Sequence, residues 1–150
     1  MGFKTDYGGI ALKIPDAKLT TSQAASTWNT RLSQIAHIPG RIIICTYSLP
    51  NIEYLRRIFD KRSDNILIIA HEKFQVRAME LKREYPGLQI VLKPDVHAKF
   101  VLIEPETVWL SSANFGSSGW FEQTIGLHSN AAYRFMLEQV EKYVGKGEGL

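Results

Sequence analysis

The sequence contains a single cysteine, Cys45, among its 150 residues. One cysteine cannot form a disulfide within the chain and cannot build a cysteine-based metal site. Cys45 lies inside the apolar run Arg41–Tyr47, so we expect a small buried hydrophobe in a reducing compartment. A reactive thiol is the alternative.

Long apolar runs are also absent. No segment approaches the roughly 20 apolar residues that a membrane span requires. Residues 1–16 show no basic stretch followed by an apolar one, the pattern of a signal peptide. We therefore expect a cytoplasmic protein that makes no contact with a membrane.

The composition is that of an ordinary globular protein, with 45% hydrophobic and 22% charged residues. The length suits a single domain over residues 1–150, and the small, polar residues 145–150 predict a flexible tail. The net charge is +3 and the pI is about 9.0, which weakly favours anionic partners such as nucleic acid.

Hydrophobic periodicity predicts an α/β fold, a mixed, largely parallel β-sheet flanked by helices. After a short edge strand at Ile10–Leu12, a helix is expected over Thr20–Ala36, with Thr21 or Ser22 as its cap. Strands and helices then alternate: strand Arg41–Tyr47, helix Asn51–Lys61, strand Asn65–Ala70, helix Glu72–Glu84 and strand Leu88–Leu92. Three strands on short loops follow, then a last helix: Val96–Glu104, Thr107–Ser111, Glu122–Leu127 and Asn130–Val144.

Five polar side chains interrupt these last strands: His97, Lys99, Ser112, Asn114 and Glu122. Strand side chains alternate between faces, so residues two apart share a face. Neighbouring strands would then gather the five groups around one pocket. Polar groups placed against the local pattern indicate a functional site.

These groups suit the cleavage of a phosphodiester. The imidazole of His97 can attack phosphorus as a nucleophile, and the carboxylate of Glu122 can orient the ring and stabilise its charge. Lys99, Ser112 and Asn114 can donate hydrogen bonds to the non-bridging oxygens, where charge develops in the transition state. The lysine and the amide take the place of a metal, so we expect no metal and no cofactor.

The spacing of these residues resembles the HKD motif of the phospholipase D superfamily: H-x-K-x4-acidic at His97, Lys99 and Glu104, then S-x-N at Ser112 and Asn114. The resemblance implies the phospholipase D-like fold and a phosphohistidine intermediate. It also implies a second histidine as general acid, which a chain with one motif obtains by forming a homodimer. Two residues depart from the family pattern, Glu104 for the usual Asp and Ser111 for the usual Gly.

The predicted function is a metal-independent phosphodiesterase, with nucleic acid, DNA or RNA, as the favoured substrate. A phospholipid-headgroup hydrolase and a non-catalytic nucleic-acid-binding module are the alternatives. His97 can also be a hydrogen-bonded core histidine with Lys99 extending to the surface. Tyr47, Ser48 and His71 end predicted parallel strands and can line the substrate groove, although polar residues at the start of a loop are more often simply solvated. Near the loop Gly116–Gly119, rings that can either stack on a base or be buried are Phe115, Trp120 and Phe121.

Overall fold

One eight-stranded sheet organises the computed structural model, which describes residues 9–14, 16–25 and 28–145. In space the strand order is β1-β2-β8-β7-β6-β3-β4-β5. The strands are β1 Gly9–Ile14, β2 Ala17–Ala25, β3 Ile42–Cys45, β4 Ile66–His71, β5 Gln89–Lys93, β6 Phe100–Ile103, β7 Thr107–Ser111 and β8 Ser118–His128.

The helices pack on both faces of this sheet. They are α1 Trp28–Arg31, α2 Ile52–Phe59, α3 Gln75–Glu84 and α4 Asn130–Val144, with short 3-10 turns at Ile35–His37 and Glu72–Phe74. Side chains cap α2 and α4, because Asn51 accepts from the backbone N–H of Tyr54 and Ser129 from that of Ala132. The predicted bounds of β7 and α4 are confirmed.

The mixed α/β fold class is confirmed. The share of parallel strand pairs is smaller than expected. β3, β4 and β5 pair in parallel, whereas the other five pairings between described strands are antiparallel. A parallel pair needs a long crossover, which α2 and α3 supply. The connections among β6, β7 and β8 are too short for a crossover and force hairpins.

The helix predicted over Thr20–Ala36 is wrong. Its first half is β2, which pairs with β1 and β8, and its second half forms α1 and a 3-10 turn. The alanines at 24 and 25 favour a helix locally. The threonines at 20 and 21 suit a strand, and pairing on both edges of β2 outweighs the helical pattern.

Two apolar layers cover the two faces of the sheet. The face toward α2 and α3 buries Ile42, Ile44, Val101 and Trp109, and the face toward α4 buries Ile43 and its neighbours. Each of these large side chains contributes on the order of 1.5–3 kcal/mol when fully buried. The strands of this core end at the edge that carries the polar residues.

β6 is shorter than predicted. It begins at Phe100, so Val96–Lys99 is an extended segment outside the sheet ladder. β8 is longer than predicted and includes Ser118 and Gly119. Of the tail predicted at 145–150, residues 146–150 lie outside the described residues, and the single-domain prediction stays a prediction.

Gly126 provides a test of the packing between β7 and β8. A Cβ at Gly126 would lie 2.6 Å from the ring of Trp109, which is buried and cannot swing away. We expect Gly126→Ala to lower the free energy of unfolding by about 1–3 kcal/mol, because the core becomes overpacked. Urea denaturation measures this change.

Gly119 is the matched control, because it lies on the same strand and a Cβ there meets nothing within 4 Å. Gly119→Ala should change the stability by less than about 0.5 kcal/mol. Equal losses in the two variants would contradict the packing described for Trp109.

Candidate active site

The segment before β6 brings His97 and Lys99 together. The Nζ atom of Lys99 lies 3.0 Å from Nδ1 and 3.5 Å from Nε2 of His97. Val96 is buried and anchors the segment, while the backbone oxygen of Lys99 accepts from the N–H of Ser111 at 3.0 Å. The histidine is exposed and the lysine is half-buried, so His97 is not the core histidine of the alternative interpretation.

Asn114 is fixed by the backbone that follows β3. Its Oδ1 atom accepts from the N–H of Tyr47 at 3.1 Å and from that of Ser48 at 3.4 Å. The next residue, Phe115, donates its N–H to the buried hydroxyl of Thr46 at 2.9 Å and packs edge-on against Trp28. With the amide oxygen engaged in this way, the amide NH2 of Asn114 is the group left for a ligand.

The hydroxyl of Ser112 is hydrogen-bonded to the neighbouring strand, β8. This hydroxyl accepts from the N–H of Gln123 at 2.9 Å and donates to the oxygen of Gln123 at 3.3 Å. The hydroxyl therefore holds the turn after β7 against β8. A phosphate oxygen would have to compete with these bonds for the hydroxyl, so we give Ser112 a weaker part in phosphate binding than Lys99 or Asn114.

Glu122 lies on β8, half-buried, and its charge acts on Lys99. Burial lowers the pKa of Lys99, and the negative charge of Glu122 opposes that effect. The hydrogen bonds of the described residues do not include one between Glu122 and His97. The orienting role predicted for Glu122 thus stays a prediction, while its electrostatic partner in the structure is Lys99.

Tyr47 joins the two halves of the site. Its ring centroid lies 5.5 Å from that of His97 and 4.8 Å from that of His71. The backbone of the same residue holds Asn114. His71 accepts the N–H of Lys73 on Nδ1 at 3.1 Å, so its proton donor is Nε2. Tyr47 and His71, at the ends of β3 and β4, therefore lie beside His97, and their place in a substrate groove stays a prediction.

Two cavities flank these residues. The first, of about 350 Å³, is mainly polar, and its lining includes Ser48, Ser112, Asn114, Trp120 and Glu122. The second, of about 330 Å³, is mainly apolar and lies between the sheet and α4; His97 and Phe100 contribute to its lining. Three of the five predicted site residues, Ser112, Asn114 and Glu122, line the polar cavity.

Arg31 is a functional neighbour that the sequence analysis missed. Its guanidinium is buried, donates to the hydroxyls of Ser111 at 2.7 Å and Thr124 at 3.0 Å, and lies over the ring of Trp28. It ties α1 to the strands beneath the site. Nothing in the local pattern could reveal this role, because it depends on α1 crossing β7 and β8.

The two departures from the family pattern have structural explanations. Glu104 lies at the far end of β6, where its Oε2 accepts the N–H of Arg41 at 2.9 Å. Ser111 accepts from Arg31 and from the N–H of Ala113 at 3.1 Å, which shapes the turn leading to Asn114. Ser111 therefore supports the turn beside the site, whereas Glu104 holds the backbone before β3 at the other end of β6.

Cys45 is buried, and burial raises the pKa of its thiol to about 12, although the charge of Lys99 acts in the opposite direction. The thiolate needed for nucleophilic chemistry is therefore suppressed. This confirms the interpretation of Cys45 as a small hydrophobe over the reactive thiol.

Within residues 9–14, 16–25 and 28–145, no three side chains of His, Cys, Asp or Glu are grouped so that they can hold a metal ion. None of the helices in the same ranges has the length and apolar character required to cross a bilayer.

Solved structures share this architecture. Nuc from Salmonella typhimurium, a phospholipase D family member, superimposes with a TM-score of 0.69 at 17% identity, over 89% of this chain and 97% of Nuc. NucT from Helicobacter pylori superimposes with a TM-score of 0.62 at 17% identity, over 88% of this chain and 99% of NucT. The chain has the phospholipase D fold.

The phospholipase D fold also occurs in a DNA-binding protein. The archaeal chromatin protein TrmBL2 matches with a TM-score of 0.64 at 11% identity, over 92% of this chain and 54% of TrmBL2. At the level of sequence, no family model and no curated protein matches the chain. The resemblance seen in the motif is thus confirmed in the fold, and the chemistry must be argued from the site.

Asn114 allows a test of how the site is held. Asn114→Leu removes the acceptor for two backbone N–H groups, so we expect a loss of about 1–3 kcal/mol in stability. Asn114→Asp keeps an oxygen at that place and should remain close to the parent stability. Chemical denaturation of both variants measures the difference, and equal stability would show that the hydrogen bonds from Tyr47 and Ser48 are not needed.

Proposed function

We propose that the chain is a metal-independent phosphodiesterase that cleaves nucleic acid through a phosphohistidine on His97. The observation that carries the proposal is the meeting of His97 and Lys99 with the fixed amide of Asn114 around Tyr47. A nucleophile, a cation and an amide donor at one edge of a sheet suit an anionic phosphorus centre.

Lys99 and Asn114 bind the phosphate. Two donors on the non-bridging oxygens stabilise the charge that develops as the new bond forms. The ammonium of Lys99 lies 3.0 Å from the Nδ1 atom of His97. A bound phosphate would draw it toward the oxygens and release that nitrogen. Because burial lowers the pKa of Lys99, phosphate binding should weaken as the pH rises through that lowered value.

The first chemical step forms a bond between a ring nitrogen of His97 and phosphorus. The bond between phosphorus and the leaving oxygen breaks, and that oxygen needs a proton. A second histidine, protonated at the start, supplies it as general acid. It then takes a proton from water, which attacks phosphorus, breaks the nitrogen–phosphorus bond and restores His97.

We assign that second histidine to His97 of another copy. In a two-fold dimer the same patch faces itself, so one motif per chain gives two histidines at the axis. His71 is a poorer candidate, because its Nδ1 is already occupied by the backbone N–H of Lys73. A homodimer with one composite site is therefore part of the proposal.

Nucleic acid is the favoured substrate because the chain is basic, with a net charge of +3. A phospholipid headgroup is the second candidate, and the mainly apolar cavity lined by His97 is the observation that favours it. A binding module without turnover is the third, since the DNA-binding protein TrmBL2 shares the fold. Hydrolysis of DNA, RNA and liposomes by the same preparation separates these functions.

Replacement of His97 tests the chemistry. His97→Ala should lower the hydrolysis of a small phosphodiester and of DNA by at least about 10²–10⁴-fold, since the nucleophile and the general acid are both lost. EDTA should leave the parent rate unchanged. The exposed His37 is the matched control, and His37→Ala should retain the parent rate; activity that survives in His97→Ala would refute the mechanism.

Mixing of subunits tests the dimer. When the parent chain and His97→Ala exchange subunits, a site that needs both histidines is active only in parent–parent dimers. The activity should fall with the square of the parent fraction, measured after refolding the mixtures together. A linear decrease would show that each chain works alone.

A further inference from the structure

Trp120 is large, apolar and almost fully open to solvent. Its exposure is 79%, whereas the two other tryptophans, Trp28 and Trp109, are buried at 0% and 4%. Phe115, on the other side of the loop, is buried at 2%. The sequence left open whether each of these rings is buried or free to stack on a base. In the structure Phe115 belongs to the core and Trp120 does not.

The backbone of β8 directs the ring of Trp120 toward the polar cavity. β8 carries a bulge at Gly119 and Trp120, because these two residues lie opposite the single residue Ala24 of β2, which has φ 55°. Bulges re-aim side chains and are common beside active sites. Trp120 shares a face with Glu122 and lines the polar cavity with it, while Phe121 points to the other face.

The lining of the cavity limits what the ring can receive. Ser48, Asn114 and Glu122 offer hydrogen-bond donors and acceptors beside the flat apolar surface of Trp120. An acyl chain would leave those groups unpaired, whereas a nucleobase has both a stacking face and a polar edge. The negative charge of Glu122 repels a phosphate, which therefore binds on the side of Lys99. The base attached to that phosphate then lies in the polar cavity beside Trp120.

We propose that Trp120 is a stacking platform for a nucleobase next to the phosphate bound at Lys99, so that the substrate is single-stranded nucleic acid. The inference rests on the proposed function and adds the substrate class. A base within a duplex has its faces covered by its neighbours, so stacking on a protein ring requires an unpaired strand. Trp120 binds substrate and takes no part in the bond-breaking steps.

Binding of two oligonucleotides, measured in the His97→Ala background to prevent cleavage, tests this platform. One is a labelled oligothymidylate and the other has the same phosphates with abasic residues. Stacking on an aromatic side chain is worth about 1–3 kcal/mol per base, so Trp120→Ala should weaken oligothymidylate binding about 5- to 150-fold. Trp120→Phe should restore part of the loss.

Phe121 is the matched control, because it is the next residue, is 63% exposed and faces away from the cavity. Phe121→Ala should alter the affinity by less than about twofold. The abasic strand should bind equally to Trp120→Ala and to its parent. Quenching of tryptophan fluorescence by oligothymidylate, lost in Trp120→Phe, should accompany binding because the other two indoles are buried.

Each contrary result has a distinct meaning. Equal affinities of Trp120→Ala and its parent for oligothymidylate would overturn the platform, as would a change from dimer to monomer, which would make the ring a subunit contact. If the chain with His97 intact hydrolyses methyl p-nitrophenyl phosphate in these cases, the phosphodiesterase stands without the platform. If it hydrolyses no diester and binds no strand, both fail.

Discussion

The site depends on the hydrogen bonds between the Asn114 side chain and the backbone after β3. Asn114 belongs to the turn between β7 and β8, and Tyr47 and Ser48 belong to the other half of the sheet. The amide oxygen joins these halves and leaves the amide NH2 for the proposed phosphate. Because Tyr47 also packs on His97, the backbone and ring of this one residue set the distance between the proposed nucleophile and the proposed phosphate donor.

A frame of desolvated polar groups makes that contact rigid. Arg31, Ser111 and Thr124 bond to one another beneath the site, and Thr46 holds the N–H of Phe115. Each of these groups has a hydrogen-bond partner on another element, so losing one would leave a buried donor or acceptor unpaired. Such frames hold reacting groups within the small tolerances that catalysis requires.

The sequence predicts those parts of the structure that local patterns specify. β7 and α4 have clear periodicity and turn or cap residues at their ends, and their bounds match. The helix predicted over Thr20–Ala36 does not form, because pairing with β1 and β8 outweighs the helical pattern of its alanines. The polarity and spacing of five residues predict the candidate site, but the occupied hydroxyl of Ser112, the buried Arg31 and the exposed Trp120 depend on contacts between distant segments, which no local pattern encodes.

The proposed phosphohistidine on His97 can be tested by trapping this covalent intermediate. The chain is mixed with a slowly hydrolysed phosphodiester, quenched under denaturing alkaline conditions, which preserve phosphohistidine, and examined by mass spectrometry of the intact chain and its peptides. We expect one phosphoryl adduct on His97 that is absent from His97→Ala. Turnover with no adduct at His97, or an adduct on another residue, would contradict that expectation.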